Sequence, residues 1–253
     1  MKLYGLQKMT LLDFPGRVAC TVFLNGCSFR CPWCHNYELA VESAEPVMEE
    51  EEFFAFLKKR EGLLEGVAVT GGEPCLSPDL PAFLRKVREL GFLTKLDTNG
   101  AHPEMLEQIL REGLADYVAM DIKNSPGKYL LTAGLTGSAE KAGNAESSAE
   151  AARQEKARQE ALLGRIRRSI RLIMELAPDY EFRTTVISQF HEEKDFAEIG
   201  EMIRGARRYF LQSFTDRDTV PFGGLGAPGA EELQRYAEQV RRFVPDVQTR
   251  GTD

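Results

Sequence analysis

Gly26-Cys27-Ser28-Phe29-Arg30-Cys31-Pro32-Trp33-Cys34-His35-Asn36 places three cysteines in one short loop. Their spacing is C-x3-C-x2-C, and an apolar, strand-like stretch from Val18 to Leu24 leads into it. Three thiolates gathered this closely can hold an iron–sulfur cluster, for which Cys is the usual ligand. A 4Fe–4S cubane held by only three of them keeps one iron open to a small molecule.

Other uses of such a loop fit less well. A structural zinc site pairs C-x2-4-C with a second ligand pair far along the chain. Only Cys20 and Cys75 remain, and they do not form such a pair. His35 as a fourth zinc ligand would strain a site confined to nine residues, Cys27 to His35. A bacterial ferredoxin run would read C-x2-C-x2-C-x3-C-P, which differs from this spacing. Lys2, Lys8, Asp13 and Arg17 interrupt the apolar start, so the N-terminus does not read as a signal peptide, and disulfides are not expected. Cys20 and Cys75 read as small core or loop residues.

The 253 residues, 43% of them hydrophobic, suffice for one large core, and a single domain over 1–253 is the simplest expectation. A net charge of −7 gives no electrostatic footprint for nucleic acid. No apolar run reaches the length of a membrane span. A cytoplasmic protein is expected, in an anaerobic or micro-oxic setting, because an open iron is easily oxidised.

Short apolar runs alternate with amphipathic segments. Strands are expected at Ala19–Leu24, Gly66–Thr70, Phe92–Asp97, Tyr117–Asp121, Tyr180–Val186 and Tyr209–Ser213. Helices are expected at Glu49–Arg60, Pro78–Leu90, Pro103–Glu112, Gly164–Leu176, Phe196–Arg204 and Ala230–Phe243. The alternation argues for an α/β fold with a parallel sheet covered by helices. Ligands collect at the carboxyl ends of the strands in such sheets. One stretch breaks the pattern. Residues 138–160 lack Val, Ile, Leu, Met and aromatic side chains and read as a low-complexity insertion, disordered in its first half. From Ala149 to Arg168, helix formers with charges of both signs suggest an exposed helix leading into the next element.

The C-x3-C-x-W-C-H-N segment resembles the cluster motif of the radical S-adenosylmethionine (SAM) superfamily. The stretch from Leu11 to Asn36 is similar to the start of the activating proteins of anaerobic ribonucleoside-triphosphate reductase. Similarity continues through Gly71-Gly72-Glu73-Pro74, Asp97-Thr98-Asn99-Gly100, Met120-Asp121-Ile122-Lys123, Tyr180 to Thr185 and Tyr209 to Gln212. It implies a partial (β/α)6, TIM-like barrel of the radical SAM type.

The resemblance also implies chemistry. Cys27, Cys31 and Cys34 would hold a 4Fe–4S cluster whose open iron binds the amino and carboxylate groups of SAM. Reduction would cleave SAM to methionine and a 5′-deoxyadenosyl radical, with no catalytic side chain beyond the cluster and SAM. Gly71, Gly72 and Glu73 would receive the methionyl ammonium, and a glycine turn at a strand end suits close approach to a ligand. Asp97 and Asn99, with Asp121 and Lys123, would line the SAM site at adjacent strand ends. Two aspartates so placed repel unless something positive lies between them, and a monovalent cation beside the SAM carboxylate would serve. Trp33 would pack near the adenine, with His35 beside it. Arg183, inside a buried-looking strand, needs an anionic partner, either the SAM carboxylate or a structural acid. Gln212 and Phe214 stand where related activases contact adenine.

No cysteine occurs between His35 and Gly66, and none follows Cys75, so auxiliary clusters are not expected. A single-cluster enzyme of this kind resembles activases that place a radical on a glycine of a partner enzyme. The implied partner is a glycyl-radical enzyme, anaerobic ribonucleotide reductase foremost, with a flavodoxin- or ferredoxin-type electron donor. Two alternatives stay open: activation of another glycyl-radical enzyme such as pyruvate formate-lyase, and small-molecule chemistry of the deazaguanine-synthase kind.

Overall fold

The computed structural model describes residues 1–136 and 145–251. In chain order the strands are β1 (Lys2–Leu3), β2 (Gly5–Thr10), β3 (Ala19–Leu24), β4 (Met48–Glu49), β5 (Gly66–Gly71), β6 (Leu93–Thr98), β7 (Tyr117–Asp121), β8 (Asp179–Val186), β9 (Arg208–Ser213) and β10 (Asp246–Arg250). The helices are α1 (Tyr37–Ala40), α2 (Glu50–Lys58), α3 (Leu80–Glu89), α4 (Pro103–Arg111), α5 (Tyr129–Thr132), α6 (Ala145–Leu176), α7 (Glu193–Met202) and α8 (Ala230–Arg241).

Eight strands form one sheet in the order β10-β9-β8-β7-β6-β5-β3-β2, and β1 pairs with β4 separately. All neighbours in the large sheet run parallel except β2, which turns back antiparallel on β3. The six expected strands are the middle of this sheet. β2 and β10 close its two edges. Helices follow the strands as right-handed crossovers demand in a parallel sheet, in keeping with a partial α/β barrel.

The helices form where the apolar spacing says they should. Leu80, Phe83, Leu84 and Val87 bury one face of α3, and Leu106, Ile109 and Leu110 do the same for α4. Capping boxes start α2 (Glu49 with Glu52) and α7 (Glu192 with Asp195).

Strand side chains alternate between the helix layer and the barrel interior. Val67, Val69, Leu96, Val118 and Met120 face the helices and are fully buried. The interior set is different in character. Phe14 lies across the amino ends of β3, β5, β6 and β7, packed with Ala19, Tyr117, Ala119 and Leu93. A Cβ on Gly66 would press into its ring, so that glycine makes room for the phenyl group. Above this floor the interior turns polar.

The expected insertion is only partly within view, since residues 138–144 lie outside the described residues. From Ala145 onward the chain is one helix to Leu176, far longer than the expected Gly164–Leu176. Between Glu150 and Ala161 no side chain is buried; burial begins at Leu162 and Leu163 and continues through Ile166, Ile170 and Ile173. The missing apolar residues therefore mark where the helix leaves the body, and helix propensity carries it on. Removing residues 138–154 should change stability by less than about 0.5 kcal/mol, the scale for surface changes. A thermal melt checks this; a larger loss would show that the arm packs on something.

Candidate active site

The loop after β3 carries the cysteines. It is held from two sides by backbone. Gly26 N–H donates to Leu39 O (2.8 Å), and Glu73 N–H donates to Gly26 O (2.7 Å). Arg30 N–H donates to Ala133 O at 2.8 Å, and a Cβ on Gly134 would overlap the Arg30 carbonyl. The Arg30 guanidinium turns back onto the carbonyls of Cys27 (2.6 Å) and Phe29 (2.8 Å).

A cavity of about 370 Å³ opens at the carboxyl ends of the strands. Cys27, Cys31 and Cys34 line it, as do Trp33, His35, Gly71, Gly72, Glu73, Asp97, Asn99, Asp121, Lys123 and Arg183. All of these residues thus meet around one space, and Gln212 joins them; Phe214, named with Gln212 from the sequence, is not part of the lining and stacks on His35 instead. Cys20 and Cys75 are buried elsewhere, away from the cavity wall.

The cysteine set fits a cluster. Burial pushes the Cys27 thiol up to about 11 and the Cys31 thiol up to about 12, and it raises Cys34 as well. The Lys123 ammonium works against burial at all three. Buried thiols with a cation nearby give up their protons when a positive metal centre replaces them. Phe29 N–H (3.4 Å) and the Asn99 amide (3.6 Å) both point at Cys27 Sγ, so donors for a thiolate are in place. Among the described residues no three His, Cys, Asp or Glu side chains converge on one point as a single-ion site asks. In a cubane each thiolate caps its own iron.

Gly71 and Gly72 allow a close approach of backbone to backbone. Gly71 has φ 123°, and a Cβ on it would overlap the Leu24 backbone; a Cβ on Gly72 would overlap the Gly26 carbonyl. The glycines bring the turn against the cysteine loop itself, and the Asn36 amide bonds Gly71 O at 3.2 Å. Glu73 is also occupied. It is 1% exposed; Thr98 Oγ1 (2.7 Å) and Cys75 N–H (3.1 Å) donate to one oxygen and Asn99 N–H (2.6 Å) to the other. Burial raises its pKa, and these bonds oppose the rise. The carboxylate clamps the turn to the end of β6, which leaves backbone carbonyls as acceptors for a ligand ammonium.

Across the cavity runs an alternating chain of charge, Lys95–Asp97–Arg183–Asp121–Lys123. Lys95 pairs with Asp97. Arg183 Nη2 donates to Asp97 Oδ2 (3.1 Å) and Nε to Asp121 Oδ1 (2.6 Å); Lys123 Nζ donates to Asp121 Oδ2 (3.0 Å). A positive group between the two neighbouring aspartates is present in the Arg183 guanidinium, which comes from β8. Burial alone would raise both carboxyls, but Arg183, with Lys95 at Asp97 and Lys123 at Asp121, holds them below the usual range. Three cationic and two anionic groups leave one positive charge in excess, which suits an anionic ligand group.

The aromatic residues are placed as wall and lid. Trp33 is buried against Phe190 (5.1 Å) and His191 (5.8 Å), with one side on the cavity. His35 stacks on Phe214 at 5.6 Å and 3°, and its Nε2 lies 2.7 Å from Thr215 O. It ties the cysteine loop to the end of β9.

The sequence reading missed part of the wall: Gln7, Asp13, Thr21, Phe23, Phe29 and Thr70. Thr21 and Phe23 alternate along β3, a period hidden because the whole strand reads apolar. Lys95 was detectable, standing two residues before Asp97 and therefore on the same face of β6. His191 gave no signal. It is buried, which lowers its pKa; Ile187 N–H donates to its Nδ1 (3.2 Å) and its Nε2 donates to Lys123 O (2.9 Å), which fixes the backbone of Lys123.

Residues 21–145 match the family model described as the radical SAM superfamily. The chain belongs to the radical SAM superfamily. It is similar, at 28% identity over 248 residues, to a Methanocaldococcus jannaschii protein provisionally named a glycyl-radical enzyme activating enzyme; the match covers 96% of this chain and 93% of that one. A pyruvate formate-lyase-activating enzyme of Clostridium pasteurianum is 31% identical over 128 residues, 49% of this chain and 52% of that protein. A 7-carboxy-7-deazaguanine synthase of Thermococcus kodakarensis is 30% identical over 133 residues, 45% of this chain and 52% of that protein. The chain spans about half the length of these last two relatives. In fold it matches a radical SAM methyltransferase from Sphaerobacter thermophilus with a TM-score of 0.67 at 15% identity, over 96% of this chain and 68% of that one. It is a radical SAM enzyme of the α/β class with a mostly parallel sheet. No helix among the described residues is long and apolar enough to cross a membrane.

Proposed function

We propose that this radical SAM enzyme is a glycyl-radical enzyme activase, with an anaerobic ribonucleoside-triphosphate reductase as partner and a flavodoxin- or ferredoxin-type protein as electron donor. The reading rests on one observation: a three-cysteine loop lines the same cavity as a chain of paired aspartates and cations that carries one positive charge in excess. The full-length similarity to a protein named as such an activase supports it. When bound, a 4Fe–4S cluster on Cys27, Cys31 and Cys34 supplies one electron to SAM, splitting it into methionine and a 5′-deoxyadenosyl radical that takes a hydrogen atom from the glycine carbon.

The chain's own residues position and shield. Lys123, held by Asp121 and by the His191 bond to its carbonyl, offers an ammonium to the SAM carboxylate. The backbone carbonyls of the Gly71-Gly72 turn receive the SAM ammonium, while Glu73 keeps that turn fixed. Trp33 closes the wall on the adenine side, and burial of the cysteine loop keeps water out. Gln7, Thr21, Thr70, Thr185 and Gln212 add amide and hydroxyl groups to a wall that Asp13, Phe23 and Phe29 also line, and those groups suit a peptide main chain. The deazaguanine-synthase relative supports a second reading, a small heterocycle in the same space.

Asp121→Ala should weaken SAM binding by about 1–3 kcal/mol, because Lys123 and Arg183 lose the charge that holds them. Titration calorimetry on iron-loaded protein checks this, and unchanged affinity would remove Asp121 from the site. The function itself is tested by mixing reduced, SAM-loaded protein with a candidate reductase under strict anaerobiosis. A partner-borne doublet in the electron paramagnetic resonance spectrum that collapses on deuteration of the glycine Cα is expected. SAM turnover with a heterocycle alone, and never a protein radical, would transfer the assignment to the second reading.

A further inference from the structure

Two carboxylates at neighbouring strand ends, facing one cavity, are the arrangement a monovalent cation fills. Asp97 is the last residue but one of β6 and Asp121 ends β7, the neighbouring strand in the sheet. The space between them is taken by the next strand. Arg183 of β8 reaches both, through Nε to Asp121 (2.6 Å) and Nη2 to Asp97 (3.1 Å). Its neighbour on the same face, Glu181, does not compete for it. Both Glu181 oxygens are held by Arg250 (2.9 and 3.0 Å), and Tyr117 Oη donates to one of them (2.9 Å). The outer oxygens of the two aspartates are taken by Lys95 and Lys123. Each of the four carboxylate oxygens thus has a cationic donor.

We propose that Arg183 is a built-in replacement for a monovalent cation, a positioning residue that holds Asp97 and Asp121 together and makes SAM binding indifferent to Na⁺ and K⁺. The inference rests on the reading of this cavity as a SAM site. Its physical basis is geometric. A planar guanidinium spans two carboxylates with directed hydrogen bonds and is more weakly hydrated than an ammonium, so it tolerates this depth better than a point charge does. An alkali ion entering here would have to displace those bonds and shed its own water. The direction of the pKa shifts agrees: both carboxyls are lowered with Arg183 as the leading favourable charge, although burial opposes it. The Arg183 side chain is only 17% exposed, and its Nη1 makes no hydrogen bond among the described residues, so the guanidinium has one donor face left for a ligand carboxylate.

The test has two arms. In the first, SAM is titrated into cluster-loaded protein at fixed ionic strength in KCl, NaCl and choline chloride. The wild-type Kd should agree within about twofold across the three salts, and Arg183→Gln should bind roughly tenfold more weakly in choline and recover in K⁺. Arg183→Lys guards against a variant that fails to fold; its ammonium touches one carboxylate at a time, so K⁺ sensitivity should fall between the two. A wild-type affinity that climbs steeply with K⁺, or an Arg183→Gln affinity equally weak in all salts, overturns the proposal. The second arm uses protein without cluster or SAM and thallium-205 resonance, with Tl⁺ standing in for K⁺. Saturable Tl⁺ binding should be absent in wild type and present in Arg183→Gln; Tl⁺ bound by wild type and displaced by K⁺ overturns it. If wild type binds no SAM in any salt, the proposed function fails, and the Tl⁺ arm still decides the role of Arg183.

Discussion

Replacing any one of Cys27, Cys31 and Cys34 with alanine will abolish SAM cleavage and strip most of the iron, while Cys20→Ala and Cys75→Ala keep both. Wild type should take up about four irons per chain on anaerobic reconstitution, the content of one cubane. Three ligands on one loop leave no spare donor: Cys20 and Cys75 are buried away from the cavity, and His35 is committed to Thr215 and Phe214. Removing one thiolate leaves an iron with no protein ligand besides the open one. The fold survives, because Cys→Ala takes out a small side chain in each case. Cys20→Ala, fully buried among the helix-facing side chains, should cost about 1 kcal/mol in stability and nothing in iron. Iron assay and product analysis for methionine and 5′-deoxyadenosine measure this. Loss of the cluster in Cys20→Ala would sink the ligand assignment.

Gly72→Ala should be nearly as damaging, for a reason that involves no ligand. Its methyl group would occupy the place of the Gly26 carbonyl, which accepts a 2.7 Å hydrogen bond from Glu73 N–H. Backbone cannot swing aside as a side chain can. Either the cysteine loop moves off β5 or the Glu73 clamp opens, and a loss of about 2–4 kcal/mol is expected from overpacking plus a broken buried hydrogen bond. The iron content should fall with it. Gly127→Ala is the matched control: its added methyl meets nothing within 4 Å. Urea unfolding of the two variants, with iron assay, reads the difference. Wild-type stability and iron in Gly72→Ala would show that the close approach has no structural weight.

The Gly-Gly-Glu-Pro turn also shows where reading a sequence stops. That glycines were needed there was visible; what they approach was not, because a bare chain does not say which backbone lies opposite. The same holds for Glu73, whose charge suggested a ligand contact but whose oxygens are consumed by Cys75, Thr98 and Asn99. The central strands were legible as short apolar runs because both their faces are buried. β2 and β10 were not. Gly5–Thr10 and Asp246–Arg250 are edge strands with exposed polar positions, and their sequences carry no burial pattern to find. That the three cysteines would face one space was legible from spacing alone, since metal ligation fixes residue type and separation together. The charge chain was half legible. Asp97, Asp121, Lys123 and Arg183 stood out, but their order in space depends on strand register, which only pairing across β6, β7 and β8 reveals.

Phe14 has a bearing on the order of events in time. By sealing the amino ends of β3, β5, β6 and β7 it turns a tube into a cup. The cavity opens at the carboxyl ends of the strands. In the proposed activase, SAM would arrive, and methionine and 5′-deoxyadenosine would depart, at the face that a protein substrate would cover. Spent products would then stay in place for as long as the partner is seated, and each new round of cleavage would wait for it to lift.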